Sequence, residues 1–284
     1  RQDPLMRYQE TLYPEWGQSF ERGQTLFEAT TDHQHLVIFQ NPRFGRVMAL
    51  DGVIQTTEAD EFVYHEMMVH VPMNTHACPK RVLIIGGGDG GILREVLKHP
   101  SVESVTQVEI DRAVIDMCIE YFPKHSDGAF SDKRLSLVIA DGAAFIANNR
   151  EQFDVIITDS TDPIGPGEVL FESTFYHGCA GALTNNGILV TQNGVPYMQG
   201  DEVTNTYRRW RSCFQTRSFY LTPVPTYVGG AMAMGFASKS SINIPSVHDL
   251  ARRTQMLPSL RYYTPEAHHG AFGLPLFMRD LMVD

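Results

Sequence analysis

The sequence predicts an α/β protein, in which a doubly wound, mostly parallel sheet follows a small N-terminal antiparallel β domain. Short runs bounded by turn residues fill residues 18–58, and apolar strands alternate with helical segments from residue 81 onward. A glycine-rich turn joins the first of these strands to its helix. We therefore place the β domain at residues 1–58 and the larger α/β domain at residues 59–284.

The N-terminal segment contains four short β-like runs separated by turn residues. They lie at residues 25–31, 35–41, 45–51 and 53–58. Alternating segments at this spacing are typical of a small antiparallel sheet.

The next element is a helix at residues 60–73. Asp60 and Glu61 suit its first turn, where a carboxylate faces the positive end of the helix dipole. Pro72 predicts its end. His65 and His70 are five residues apart, so they do not share the helix face that an H-E-x-x-H zinc motif requires.

From residue 81 the chain alternates between strands and helices. We predict helices at 91–99, 112–122 and 141–149. Strand and helix in alternation indicate βαβ units, which build a parallel sheet covered on both faces. The predicted strands are 81–86, 102–109, 134–141, 153–159, 187–193, 217–224 and 231–238.

Composition excludes several classes of protein. The net charge of −10 argues against a nucleic-acid partner, because phosphate binding needs clustered Lys and Arg. No apolar run is long enough for a membrane span, and the polar start predicts no signal peptide. The four cysteines form no close pair, which favours a reduced, cytoplasmic protein.

The strand at 81–86 runs into a nucleotide-binding pattern. Gly86, Gly88 and Gly91 fit G-x-G-x-x-G, and a helix follows at once. Glycines allow a tight turn and close approach of a ligand to the helix N-terminus. Glu109 ends the next strand, about 20 residues on, where an acid can hold ribose hydroxyls. The pattern predicts a Rossmann-like sheet that binds a nucleoside.

Asp89 indicates which nucleoside. A carboxylate inside the glycine loop would lie where a dinucleotide places its pyrophosphate, and like charges repel in a poorly solvated cleft. A ligand with a positive group would gain there. Asp141 and Gly142 follow the third strand, where they can meet an adenine. These residues favour an adenosine sulfonium, and hence a methyltransferase-type sheet.

The stretch "DSTDPIGPG" at 159–167 has the composition of an ordinary surface turn. However, it follows the fourth strand, and the carboxyl ends of parallel strands share one edge of the sheet. Asp159 and Asp162 would therefore lie near Asp89. Three carboxylates facing one pocket predict a cation between them, and we favour a cationic substrate over a metal ion.

Several motifs together resemble spermidine synthase of the bacterial type, a family of aminopropyltransferases. The resemblance runs from about residue 10 to 280. Its motifs are "TDHQHL", "LDGVIQTTEADEF", "YHEM", "GGGDGGILREVLKH", "QVEID", "DSTDPIGPGEVLF", "PTYVGG" and "RYYTPEAHHGAFGLP".

The resemblance implies transfer of an aminopropyl group from decarboxylated S-adenosylmethionine, a co-substrate, to putrescine. The products are spermidine and methylthioadenosine. It implies neither a metal nor a bound cofactor, and Asp159 matches the proton acceptor. The implied nucleoside-binding positions are Gln34, Asp89, Glu109, Asp141, Gly142 and Pro166. The implied amine-binding positions are Tyr64, His65, Asp89, Asp159, Asp162 and Tyr227.

The loop "DPIGPGEVLF" is expected to close over the substrates, since its prolines stiffen it and its glycines allow movement. The family usually forms homodimers or homotetramers, so one of these assemblies is expected.

Other functions remain open. A methyltransferase would share the fold, although Asp89 opposes the carboxylate of ordinary S-adenosylmethionine. A polyamine-binding protein would keep the acidic pocket without needing the nucleoside motifs, and a nicotinamide dehydrogenase conflicts with Asp89. The sequence does not separate putrescine from cadaverine, agmatine or spermidine as the acceptor.

Overall fold

The computed structural model describes residues 6–149, 152–161 and 165–284, with residue 166 described by its backbone alone. The described residues form three β-sheets. The first is a pair of short antiparallel strands, β1 (Arg7–Gln9) and β2 (Ser19–Glu21). The sequence did not predict this pair, because three residues are too few to show an alternating pattern.

A four-stranded antiparallel sheet follows, as predicted. Its strands pair in chain order, and Asp51 and Gly52 form the two-residue turn before the last strand. Both turn residues have positive φ, which suits a turn that follows the twist of a hairpin. The strands are β3 (Thr25–Thr30), β4 (His35–Asn41), β5 (Gly45–Leu50) and β6 (Val53–Thr57).

Helix α1 (Glu61–Thr75) connects this sheet to the rest of the chain, and its residues from Val63 onward are buried. It ends three residues after Pro72, at or near which the sequence predicted its end. The backbone N–H of His76 still bonds the carbonyl of Pro72, and the Thr75 hydroxyl bonds that of Val71. These bonds carry the last turn around the missing proline N–H.

The third sheet has seven strands in the order β12-β13-β11-β10-β7-β8-β9. Strands β7 to β11 are parallel, and β13 runs antiparallel to both of its neighbours, β11 and β12. The chain order reverses between β7 and β10, which is the topological switch point. The strands are β7 (Arg81–Gly86), β8 (Ser104–Glu109), β9 (Leu135–Ile139), β10 (Phe153–Asp159), β11 (Leu183–Gln192), β12 (Thr216–Thr222) and β13 (Met232–Ser238).

Helices cover both faces of this sheet, which confirms the predicted doubly wound α/β class. Alternate residues of each strand enter separate cores: Ile84 packs with α1, and Leu83 packs on the opposite face. The remaining helices are α2 (Gly91–Leu97), α3 (Arg112–Tyr121), α4 (Pro123–Ser126), α5 (Gly142–Asn148), α6 (Ser173–Ala182), α7 (Pro196–Arg209), α8 (Val247–Thr254), α9 (Pro265–Ala271) and α10 (Leu276–Leu281). No described helix is long and apolar enough to cross a membrane.

Candidate active site

A large cavity opens at the carboxyl edge of the parallel strands, beside the switch point. Strands β7 and β10 end there side by side, with Gly86 opposite Asp159. A Cβ on Gly86 would lie 2.1 Å from the carbonyl oxygen of Asp159, and the φ of Gly86 is +85°. Only glycine therefore lets the two strand ends meet in this way.

The glycine loop of the nucleotide pattern forms one wall of this cavity. A Cβ on Gly88 would lie 3.1 Å from Oε2 of Glu109, and one on Gly91 would lie 2.2 Å from the ring of His65. The second and third glycines thus give two side chains room beside the loop. This packing role comes in addition to the ligand approach that the sequence predicted.

Glu109 lies at the end of β8 and is 8% exposed. Its Oε1 accepts the backbone N–H of Asp111 at 3.0 Å. Among the described residues it forms no ion pair, and burial, with the nearby Asp159 and Asp111 carboxylates, raises its pKa to about 7. A hydroxyl donor from a ligand would satisfy this carboxylate.

Gln34 approaches from the N-terminal sheet. Its Nε2 donates to Oδ2 of Asp111 at 3.2 Å, and Thr31 donates to the same oxygen. Asp111, which caps α3 through its other oxygen, was not predicted as a site residue.

On the far side of the cavity, Oδ1 of Asp141 accepts the N–H of Ala144 and caps α5. Gly142 follows it at the cavity wall.

Asp159 faces an aromatic pair at the opposite wall. The Tyr64 hydroxyl donates to Oδ1 of Asp159 at 2.5 Å. The ring of Tyr227 packs edge-on against Tyr64 at 5.5 Å, and its hydroxyl donates to the carbonyl of Gln55. Burial, and then the charge of Asp89, raises the pKa of Asp159 to about 6, although the Tyr64 bond lowers it. The carboxyl group is thus poised to exchange a proton near neutral pH.

Asp89 is already paired. Its Oδ2 lies 3.0 Å from Nε2 of His65, and its Oδ1 accepts the N–H of Gly91 at 2.8 Å. The other nitrogen of His65 bonds Glu61, which binds Arg94. The sequence predicted a cation among the acidic residues. The protein supplies one itself, in addition to any that a substrate brings.

The cavity brings together every predicted site residue whose side chain is described. They are Gln34, Tyr64, His65, Asp89, Glu109, Asp141, Gly142, Asp159 and Tyr227. Asp162 and the side chain of Pro166 lie outside the described residues. The segment predicted to close over the substrates forms a 3-10 helix at Gly165–Phe171, and Gly167, Val169 and Leu170 line the cavity. Its predicted closure stays a prediction.

Two lining residues show what sequence reasoning missed. Glu10 is 5% exposed, and its two oxygens accept the N–H of Ile54 and the amide of Gln18. It precedes the small sheet, and no local pattern marked it. Gln192 ends β11, so the strand-end rule that found Asp159 could also have found it. Among the described residues there is no cluster of three or more His, Cys, Asp or Glu able to hold a metal ion.

Comparisons with known proteins show which family this chain resembles. Residues 61–246 match the spermine/spermidine synthase domain, and residues 7–58 match the spermidine synthase tetramerisation domain. A polyamine aminopropyltransferase of Pseudomonas syringae pv. tomato is 58% identical over 95% of this chain and 96% of its own length. Polyamine aminopropyltransferase 1 of Pseudomonas aeruginosa is 57% identical over the same shares.

Solved structures give the same picture. A spermidine synthase crystallised in complex with the transition state analogue AdoDATO superposes with a TM-score of 0.92 at 40% identity. That match covers 99% of this chain and 96% of the other. The spermidine synthase of Thermotoga maritima gives a TM-score of 0.90 at 40% identity, covering 99% and 95% of the two chains.

Proposed function

The chain belongs to the spermine/spermidine synthase family, and we propose that it transfers the aminopropyl group of decarboxylated S-adenosylmethionine to putrescine. The products are spermidine and methylthioadenosine. One observation carries the proposal: Asp159, held by Tyr64 at 2.5 Å, shares one cavity with Asp89 and with the predicted nucleoside-binding residues. This arrangement supplies a base, a binding site for a cationic chain and a binding site for a nucleoside.

The chemistry requires a neutral amine. A primary amine with a pKa near 10 is almost wholly protonated at pH 7, and freeing its lone pair costs about 4 kcal/mol at 1.36 kcal/mol per pKa unit. Asp159 attracts the ammonium and accepts its proton. The amine nitrogen then forms a bond to the aminopropyl carbon that is attached to sulfur, while that carbon–sulfur bond breaks and its electron pair stays on sulfur.

The leaving group is a neutral thioether and needs no acid. What remains is to align nitrogen, carbon and sulfur, and alignment can contribute several kcal/mol, up to about 7–11. In this proposal Glu109 and Gln34 hold the nucleoside sugar side, and Asp141, Gly142 and Pro166 hold its base. Asp89 binds the aminopropyl ammonium and opposes the carboxylate of ordinary S-adenosylmethionine.

The acceptor amine would lie along Tyr64, His65 and Tyr227, with Asp159 and Asp162 at its attacking end. Its second ammonium needs another negative group. Glu10 is a buried carboxylate in the cavity wall, next to the β1–β2 pair, and it fits this need. An acceptor with two amino groups is therefore favoured over one with a single amino group.

The test is a reaction with defined substrates. Purified protein, given decarboxylated S-adenosylmethionine and putrescine with EDTA present, is expected to release methylthioadenosine and spermidine. Ordinary S-adenosylmethionine serves as the matched donor control. Release of product from that donor alone would favour a methyltransferase, and a requirement for added metal would contradict a metal-free, cofactor-free reaction. Cadaverine, agmatine and spermidine assayed beside putrescine would identify the acceptor.

The match to a tetramerisation domain supports a homo-oligomer, either a homodimer or a homotetramer. Light scattering on the purified protein distinguishes the two. The cytoplasmic location stays a prediction that rests on the cysteine spacing.

A further inference from the structure

His65 lies between two carboxylates. Its Nε2 is 3.0 Å from Oδ2 of Asp89, and its Nδ1 bonds Oε2 of Glu61, one helical turn earlier on α1. A carboxylate only accepts hydrogen bonds, so the ring must donate from both nitrogens, which requires the charged imidazolium form. The side chain is 3% exposed. The site therefore contains a fixed, desolvated positive charge directly behind Asp89.

Glu61 is itself held from behind by α2. Arg94 grips its two oxygens with two nitrogens, at 2.9 and 3.2 Å. The Arg94 side chain is 14% exposed, and one of its terminal nitrogens also donates to the carbonyls of Lys124 and His125. Such a bidentate pair fixes geometry as well as charge. Arg94 is itself held by Glu95 at 3.0 Å, so its side chain is fixed and keeps Glu61 beside His65.

Other titratable groups near the ring do not replace Asp89 and Glu61 as its hydrogen-bond partners. They are Tyr64 on α1, Arg94 on α2, His125 on α4 and Asp159 on β10. The ring of His125 is 6.1 Å away and bonds the Thr56 hydroxyl, and burial lowers its pKa. Burial also opposes the charge on His65, yet Asp89 and then Glu61 raise its pKa to about 10.

We propose that Glu61 is a positioning residue, which keeps His65 cationic and directed at Asp89 so that the attacking amine is more readily deprotonated. This inference rests on the proposed aminopropyl transfer. The carboxylates that attract a diamine also stabilise its ammonium form and slow its attack. A fixed positive charge nearby acts in the opposite sense, because a like charge disfavours a protonated amine. His65 thus makes the acidic pocket less negative, and Glu61 keeps the His65 ring protonated.

The substitution Glu61→Gln tests the proposal with little change of shape. A glutamine amide can donate to the ring nitrogen, so the ring can stay in place as a neutral imidazole. Losing one carboxylate partner is expected to lower the pKa of His65 by about 1–3 units. The ratio of wild-type to variant kcat should be near 1 at about pH 6.5. The ratio should rise to about tenfold at about pH 9, where the His65 ring of the variant is neutral. A rise of about one unit in the pKa of the bound amine lowers its unprotonated fraction about tenfold.

The KM for putrescine separates this effect from simple damage. A pocket that has lost its resident cation is more negative, so KM should stay unchanged or fall while kcat falls. A rise of KM with a pH-independent loss of kcat would overturn the proposal.

Glu66→Gln is the matched control. Glu66 is a buried carboxylate on the same helix, and it accepts the backbone N–H groups of Arg261, Tyr262 and Tyr263. This variant should lose stability while keeping the wild-type shape of the pH profile. A pH-dependent loss of kcat equal to that of Glu61→Gln would overturn the specific role of Glu61.

NMR of histidine labelled with 15N gives a readout that needs no catalysis. In the free wild-type enzyme His65 should remain doubly protonated at about pH 9, and in Glu61→Gln it should titrate at lower pH. A neutral His65 at about pH 8 in the wild type, or identical titration in both proteins, would overturn the proposal. If no aminopropyl transfer is detected but the titrations differ as expected, the proposed function fails while the hold of Glu61 on His65 stands.

Discussion

Carboxyl groups in two regions at the cavity have pKa values shifted in opposite directions. In the wall formed by α1 and the glycine loop, with α2 behind it, Asp89 and Glu61 share His65, and Glu61 also binds Arg94. The pKa of each carboxyl is lowered against the opposing effect of burial. At the edge of the sheet, Glu109 and Asp159 have no ion-pair partner among the described residues, and burial raises the pKa of each.

The difference indicates which groups await a ligand. A paired carboxylate has a cation of the protein beside it before a ligand binds, and Asp89 keeps this partner when it receives the aminopropyl ammonium in the proposed reaction. An unpaired one is destabilising until a substrate supplies a proton donor, and such groups concentrate where chemistry occurs. On this interpretation the wall positions the substrates, and the strand edge is where bonds change.

The largest expected effect comes from removing the base at the strand edge. Asp159→Asn should lower kcat by about 10²–10⁴-fold, the usual contribution of a general base. Binding of methylthioadenosine, followed by calorimetry, should remain close to that of the wild type. The asparagine amide oxygen can still accept the hydrogen bond from the Tyr64 hydroxyl, so the change removes the base while a side chain of similar shape stays in its place.

Asp154→Asn is the control on the same strand. Asp154 lies at the opposite end of β10, where one oxygen accepts the backbone N–H groups of Lys80 and Arg81. Its substitution should leave kcat nearly unchanged. Near-normal turnover in Asp159→Asn would place the base elsewhere and end the distinction between edge and wall.

Much of this edge was predictable from the sequence. The ends of parallel strands can be read from apolar runs, and the topology rule then collects Gly86, Glu109, Asp141 and Asp159 at one place. Helices α6 to α10 were not predicted. The short β1 and β2 were not predicted either, because strands of three residues are too short to show an alternating pattern.

The wall was harder to predict than the edge. Glu61 was predicted only as a first-turn acid and Arg94 was not singled out, since the sequence gives no sign that α1 and α2 face each other. The motif gave His65 a place in the amine site without showing the two carboxylates that charge it. Pairing across helices depends on three-dimensional packing, which local patterns do not encode.

A second prediction tests the wall by sterics rather than charge. In Gly91→Ala the new Cβ would lie 2.2 Å from the His65 ring, so the ring must move away from Asp89. Overpacking of this kind should lower the free energy of unfolding by roughly 2–3 kcal/mol. Turnover should also fall, by about tenfold, if one well-formed interaction at the site is lost. Urea denaturation and steady-state assays measure the two effects.

Gly181→Ala is the matched control for this variant. Gly181 lies in α6, and a Cβ there would meet nothing within 4 Å. Alanine should leave turnover unchanged and stabilise the helix by up to about 1 kcal/mol. Full activity in Gly91→Ala would show that the ring can move without cost, and the wall would then have no part in holding the site.

The smallest expected effect is the loss of stability when the buried Glu109 at the strand edge ionises. The folded-state pKa of Glu109 is raised from 4.5 to about 7, so the folded protein binds this proton more tightly than the unfolded chain. Its favourable contribution is complete below the unfolded pKa and is lost as pH rises through the folded pKa. Between about pH 4.5 and pH 7 the wild type should therefore lose about 1–3 kcal/mol of stability from this group.

Glu109→Gln removes the ionisation, so at about pH 8 it should be more stable than the wild type by a similar amount, with little difference at about pH 4.5. Urea denaturation at both pH values measures this, and Glu103→Gln, an exposed carboxylate just before the same strand, should show no such pH-dependent gain. A variant that is less stable than the wild type at the higher pH would mean that the ionised Glu109 is well satisfied without a ligand. The edge would then resemble the wall, and an unpaired carboxylate would no longer mark where the nucleoside binds.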